Sequence, residues 1–165
     1  MRDVLVFKVK GTPGAQGSKR HVGHGILVES SKKVAPWRSD VKAAAEAAIG
    51  DCEGAGEPFA ILGDAVHVSV IFRFPRPKAH YRTGRNAHIL REDAPIFVTS
   101  RSCGDVDKLV RSSLDALVAA GVMADDSLVA RVMASKLYCC AHEVPGATFA
   151  IRSLTVHKPA EAVAS

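Results

Sequence analysis

The sequence predicts a single α+β domain in which a mixed, largely antiparallel sheet carries two helices packed on one face. Several segments are rich in β-branched residues or alternate apolar and polar side chains, which is typical of strands. Two other segments space their apolar residues at helical intervals. The order strand, loop or hairpin, helix, strand, long loop, helix, strand, strand indicates an α+β domain. The 165 residues provide one domain, expected over 1–158, and a flexible tail over 159–165.

The first half of the chain predicts a strand, a glycine-rich loop and a helix. Residues 4–10 are rich in valine and are followed by a glycine, which predicts a strand; the loop over 11–20 ends in two cations. A short strand is expected over 25–28. Apolar residues at helical spacing predict a helix that opens with Pro36 and is stopped by Gly50.

The second half predicts a long strand, an irregular segment, a second helix and two final strands. Residues 64–74 place three valines and a phenylalanine on one face, which indicates a strand. No period holds from 75 to about 103, and a loop of this length is usually functional or mobile. Valine and leucine spacing predicts a helix over 107–120, closed by Gly121. The final strands are expected over 129–140 and 147–157.

The charge balance and the cysteines limit the class of protein. Lys and Arg number 22 against 17 Asp and Glu, a formal net charge of +5 that permits a polyanionic partner. No apolar run approaches the roughly 20 residues that span a bilayer, and the first residues do not resemble a signal peptide. The four cysteines include no C-x-x-C pair and are expected to be free thiols in a reducing compartment. We therefore expect a cytoplasmic protein with no membrane partner.

Two pairs of carboxylates flank the second predicted helix. Asp105 and Asp107 precede it, and Asp125 and Asp126 follow it. If the next strand returns beside the start of the helix, three or four carboxylates converge, which is unfavourable unless a cation neutralises them. Oxygen ligands without Cys or His suit Mg²⁺ or Mn²⁺. The competing interpretation is that these residues belong to ordinary turns and helix starts.

A basic segment lies just upstream of these acidic residues. Between positions 73 and 91 the sequence contains six Lys or Arg, two His and no acidic residue. The six cations are Arg73, Arg76, Lys78, Arg82, Arg85 and Arg91. We interpret them as a clamp on a phosphate backbone, which Lys19 and Arg20 of the N-terminal loop would extend. A solvated mobile segment is the competing interpretation.

Arg111 has two interpretations of equal weight. It lies four residues after Asp107 and four before Asp115, so the three side chains project from adjacent turns of one helix. They could form an ion-pair ladder. Alternatively, Arg111 faces the carboxylate site and binds a phosphate oxygen, with Asp115 in a supporting role.

The residues around this helix resemble a family signature. The segment 104–129 reads G-D-V-D-K-L-V-R-S-S-L-D-A-L, then a glycine at 121, then D-D-S-L-V. It resembles the RusA family of Holliday junction resolvases, whose pattern is D-x-D-[NK]-L-x-[KR]-x-x-x-D-A-L, a glycine and D-D-x-x-V. Residues 11–20 and 36–38 resemble phage and actinobacterial members of that family more loosely.

The resemblance implies a small homodimeric endodeoxyribonuclease of DNA recombination and repair. Such an enzyme cuts four-way junctions and other branched DNA with Mg²⁺, for which Mn²⁺ is a substitute. The implied catalytic and metal-binding carboxylates are Asp105, Asp107 and Asp126, with Asp125 as a further candidate ligand. The family's basic helix residue, often lysine, falls on Arg111, which keeps the charge but cannot act as a general base. Lys108 joins the residues expected to contact DNA.

Two other functions compete with a nuclease. A RusA-like protein that binds branched DNA without cutting it would be expected to lack an acid, but all the acids are present. A nucleotide-sugar transferase with a D-x-D motif would need a glycine-rich nucleotide fold before that motif, which the sequence does not contain. The sequence also contains no Ser-His-Asp or Cys-His constellation that indicates a different catalytic centre.

Overall fold

A computed structural model describes residues 4–17, 19–21, 27–29 and 31–154. The strands are β1 Val4–Lys10, β2 Lys19–His21, β3 Leu27–Glu29, β4 Val66–Phe74, β5 Val129–Tyr138 and β6 Gly146–Ser153, and the helices are α1 Val34–Gly54 and α2 Val106–Ala119. Four strands form one sheet in the order β1-β6-β4-β5, and β2 pairs with β3 in a separate antiparallel ladder. The β1–β6 and β6–β4 pairs are antiparallel and the β4–β5 pair is parallel. The predicted single α+β domain with a mixed, largely antiparallel sheet is therefore confirmed.

Both helices pack on the same face of the sheet and share one core. The ring of Trp37, on α1, is fully buried and lies 6.2 Å from the ring of Phe72, on β4. Its indole N–H donates to the hydroxyl of Ser113 on α2 over 3.0 Å, which joins the two helices. At the next strands, Phe149 stacks on Phe7 with ring centroids 5.2 Å apart. The predicted packing of two helices on one face is confirmed.

Helix α1 extends past the glycine that was expected to stop it. Gly50 lies inside the helix, on its exposed side, where no side chain is needed for packing. Cys52 is 3% exposed and continues the buried stripe of Trp37 and Val41, so its burial favours a further helical turn. The helix ends at Gly54, and just beyond it Gly56 has a φ of +76° and the Glu57 N–H donates to the Cys52 carbonyl over 3.0 Å.

Helix α2 ends as the sequence predicts. Gly121 has a φ of +75°, and the Val122 N–H donates to the Leu117 carbonyl over 3.0 Å, which is the Schellman arrangement. A short 3₁₀ turn, Asp126–Leu128, then leads into β5. This close return places the second acidic pair near α2, whose N-terminal end carries the first pair.

The remaining boundaries differ from the expectations by a few residues. Residues 19 and 20 belong to β2 rather than to the predicted loop, because β2 finds a ladder partner in β3. The segment 75–103 contains short 3₁₀ turns and no α-helix or extended strand, as predicted. Residues 25–26, 155–157 and the expected tail 159–165 lie outside the described residues. Within the described part of the chain, neither helix combines the length and the hydropathy that a bilayer span requires.

Candidate active site

A groove between α2 and β5 contains three of the four residues expected to carry catalysis. Its cavity has a volume of about 410 Å³. It is lined by Val106, Asp107, Val110, Arg111, Leu114, Asp126, Val132 and Ala134. Asp107 and Arg111 lie one turn apart on α2 and so project to the same side. Asp126 enters from the turn that precedes β5. The fold thus gathers two carboxylates and a guanidinium that are up to 19 residues apart in sequence.

Asp105 and Asp125 do not line this groove. The Asp105 carboxylate lies 3.1 Å from the Nζ atom of Lys108, and Asp105 occupies the N-cap position of α2 with an extended backbone. Asp125 accepts a hydrogen bond of 2.9 Å from the Ser127 N–H, and this bond lowers the pKa of Asp125. No group of three Asp, Glu, His or Cys within the described ranges lies close enough to hold a metal ion. The expected convergence of three or four carboxylates is therefore not met in these residues.

The two carboxylates that do share the groove fit a hard divalent cation. Mg²⁺ is commonly bound through one or two carboxylates, with waters and substrate phosphate oxygens in the remaining positions. Asp107 and Asp126 are both exposed to solvent, so waters and a phosphate can approach them. The groove brings no Cys or His to these two carboxylates, as expected for a Mg²⁺ site rather than a Zn²⁺ site.

The ion-pair ladder through Arg111 is absent. Asp115 pairs instead with Arg38 of α1, across the helix–helix contact. Arg111 forms no ion pair with any residue that the structure describes, and its exposed guanidinium borders the groove beside Asp107. Of the two interpretations of Arg111, the ion-pair ladder is wrong, because Asp115 forms its ion pair with Arg38 of the other helix.

Three of the six cations between positions 73 and 91 form ion pairs or hydrogen bonds with other groups of the protein. Arg73 pairs with Glu143 at 2.8 Å. Arg76 donates to the Pro95 carbonyl over 2.7 Å and to the Cys139 carbonyl over 3.2 Å, and its guanidinium lies 5.3 Å from the centre of the Tyr138 ring. Such contacts fix the segment onto the sheet.

Arg91 is also paired, through two bonds of 3.0 Å to Asp93 that lower the pKa of this carboxyl. The exposed cations left in the segment are Lys78, Arg82 and Arg85. Arg82 makes only a long contact of 3.4 Å with Glu92, and the other two have no ion pair with a described residue. The backbones of Lys19 and Arg20 lie in β2, and their side chains are outside what the structure describes.

A comparison with protein-family models decides the family. The model of endodeoxyribonuclease RusA matches residues 9–151 of the 165-residue chain. The chain belongs to the RusA family. RusA proteins are endodeoxyribonucleases that resolve Holliday junctions in DNA recombination, so the resemblance seen in the sequence is confirmed. The matched span includes all the groove residues. A search of curated proteins finds no match.

Contacts that the sequence did not reveal hold the start of α2 in place. The Lys136 ammonium donates to the Gly104 carbonyl over 2.6 Å, and the Ser112 hydroxyl donates to the Gly14 carbonyl over 2.6 Å. Gly104 has a φ of +79°, and a Cβ there would clash with the side chain of Ala15. The N-terminal loop therefore packs against the helix that carries Asp107. In the sequence, only the glycine directly before the D-x-D motif indicates this close packing.

Proposed function

We propose that this RusA protein is a Mg²⁺-dependent endodeoxyribonuclease that resolves Holliday junctions and other branched DNA by paired phosphodiester hydrolysis, in recombination and repair. The observation that carries the proposal is the shared groove of Asp107, Asp126 and Arg111. Phosphodiester hydrolysis needs a nucleophilic water and stabilisation of the charge that develops on the phosphate. Two carboxylates and an unpaired guanidinium match these needs.

Each groove residue has a role in this proposal. Asp107 and Asp126 would hold Mg²⁺, or Mn²⁺ as a substitute, with Asp105 as the third candidate ligand and Asp125 beside it. When bound, the ion would supply an activated water and neutralise negative charge. Arg111 donates hydrogen bonds to a non-bridging oxygen of the scissile phosphate.

The exposed cations of the segment 75–103 would bind the flanking backbone. Among the cations between positions 73 and 91, Lys78, Arg82 and Arg85 are exposed and have no close ion pair with a described residue. Lys19, Arg20 and Lys108 stay candidates for further phosphate contacts. Binding through such residues releases counterions, so affinity should fall steeply with salt.

We propose further that two copies act together as a homodimer. A four-way junction must be cut in two opposing strands, so a symmetric pair of sites suits it. The surface we assign to the dimer is the outer rim of the groove. There, β5 is an edge strand of the sheet, and Val106 and Val132 are 39% and 42% exposed beside the carboxylates.

One observation favours a second candidate function, a RusA-like protein that binds branched DNA without cutting it. Only two carboxylates face the groove, and in the described part of the chain no group of three Asp, Glu, His or Cys residues is placed to hold a metal ion. Incubation with a labelled synthetic four-way junction separates the two functions. The nuclease produces nicked duplex in Mg²⁺ and none in EDTA. Binding in both conditions without product would favour the second function.

A further inference from the structure

The face of the sheet opposite the helices carries cations and no acid. None of the four strands β1, β4, β5 and β6 contains Asp or Glu. In β4, Val66, Val68, Val70 and Phe72 are buried in the core, so the residues between them face outwards. The basic side chains that this alternation and the strand register place on the outer face are Lys8, Lys10, His67, Arg73, Arg131 and Arg152.

Three of these side chains form a row across the sheet. His67 is paired in register with Arg131 on β5 and with Arg152 on β6, and neighbouring strands are about 4.8 Å apart. Both arginines are exposed, and neither forms an ion pair with a described residue. The His67 side chain is 7% exposed, and its Nδ1 atom has no hydrogen-bond partner. A buried polar atom of this kind requires an explanation, and an anion held between the arginines would provide its partner.

Burial and the two arginines also fix the charge of the histidine. Desolvation, then Arg152 and Arg131, lower the pKa of His67 below its ordinary value of 6.5. The ring is therefore neutral near pH 7, and one of its nitrogens carries a hydrogen while the other can accept one. A neutral ring can donate to a phosphate oxygen without adding a buried positive charge beside the two arginines.

A second basic group lies at the other end of the same face. Lys8, Lys10, Arg73 and His142 line a cavity of about 320 Å³, in which Glu143 is the one acid and is paired with Arg73. The Nη1 atom of Arg73 is buried and lacks a hydrogen-bond partner. His67 and Arg73 are six positions apart along β4, which corresponds to about 20 Å. One phosphate cannot contact both groups, whereas a polymer of phosphates can.

Protection of exposed strand edges does not account for all the basic residues on the outer face of the sheet. Lysines on an edge strand prevent unwanted strand pairing, which explains Lys8 and Lys10 on β1. His67, Arg73 and Arg152 lie on the two central strands, where there is no edge to protect. A face whose strands contain no acid and which carries basic groups at both ends is complementary to a nucleic-acid backbone.

We propose that this outer face binds the phosphate backbone of a second arm of branched DNA, while the α2–β5 groove holds the strand to be cut. The groove residues Val132 and Ala134 point towards the helices, whereas Arg131 points away from them, so one DNA segment does not cover both surfaces. The inference rests on the proposed function in one respect: the substrate is a junction with several arms.

Binding of a labelled four-way junction in Ca²⁺ at several salt concentrations tests the proposal. The Arg131→Ala/Arg152→Ala variant should bind the junction at least tenfold more weakly. The slope of log K against log salt should decrease in magnitude by about 0.9 for each lost phosphate contact. A short linear duplex should lose less affinity, because it does not need both surfaces. Lys42→Ala, which removes an exposed cation of α1, is the control and should leave the slope unchanged.

Lys8→Ala/Lys10→Ala repeats the test at the other end of the face and replaces the first variant if that one fails to fold. Junction affinity and salt slope equal to wild type in both variants would overturn the proposal. So would a change from dimer to monomer in sedimentation, because the face would then be an interface between copies. Failure of the proposed nuclease function is seen separately, as wild-type protein that binds the junction and yields no product in Mg²⁺.

Discussion

Helix α2 and the segment 75–103 are both rich in charged residues, and the fold uses their charges differently. On α2, Asp107 and Arg111 face an open groove, while Asp115 pairs with Arg38 of the neighbouring helix. In the segment, Arg76 and Arg91 are held by partners within the protein. Charge density in a sequence therefore does not show which charges are available to a ligand. Tertiary neighbours decide that: they leave Asp107 and Arg111 open to a ligand, whereas they pair some of the cations of the segment within the protein.

The largest expected effect is on the rate of DNA cleavage, in variants of the groove carboxylates. Asp107→Asn removes a ligand charge without changing shape, so junction binding should persist while cleavage falls about a thousandfold, or about 4 kcal/mol of transition-state stabilisation. Asp126→Asn should behave in the same way. Single-turnover cleavage of a prebound junction is the measurement, with the exposed Asp51→Asn as control. A wild-type rate for Asp107→Asn would remove this residue from the catalytic site.

The next effect concerns the unpaired arginine. Arg111→Ala should lower the single-turnover rate about a hundredfold, which corresponds to about 2.7 kcal/mol. Arg111→Lys should restore part of the rate, because a point charge retains some of the interaction with phosphate. An unchanged rate in Arg111→Ala, together with wild-type thermal stability, would assign Arg111 to the surface and remove the contrast between the two regions.

Two arginines of the basic segment make a matched pair for a smaller effect on binding. Arg85 has no ion pair with a described residue, whereas Arg91 is held by Asp93. Arg85→Ala should reduce the magnitude of the salt slope of junction binding by about 0.9, and Arg91→Ala should leave it nearly constant. Equal slopes in the two variants would mean that pairing within the segment does not determine which residues contact DNA.

The smallest effect should be on stability, at the contact between the helices. Both side chains of the Arg38–Asp115 pair are more than one third exposed, at 35% and 39%. Solvent screens such pairs, so Arg38→Ala should cost at most about 1 kcal/mol of unfolding free energy, seen as a shift of about 2–4 °C in thermal melting. A loss of several kcal/mol would show that this pair is part of a tighter network than its exposure indicates.

The features that the sequence predicts depend on residues close together in the chain, and those that it misses depend on residues far apart in the chain. Periodicity and a C-terminal glycine located α2 and its Gly121 end, because these signals are local. The partner of Asp115 lies 77 residues away and that of Arg73 lies 70 residues away, so no local pattern could identify either. The prediction that Gly50 ends α1 is wrong for the same reason. The burial of Cys52 against distant residues outweighs the local cost of a glycine in a helix, which is about 1 kcal/mol.

The pairing of β1 with β6 has a consequence for how the protein is made. Val4 to Lys10 align with Arg152 to Gly146, so two segments from nearly opposite ends of the described chain are ladder partners. Synthesis proceeds from the N-terminus, and contacts between such distant segments form slowly because a long loop must close first. On the ribosome, β1 therefore has no partner in this sheet until β6 has been synthesised. The four-stranded sheet cannot be completed earlier, because β6 is the strand that joins β1 to β4.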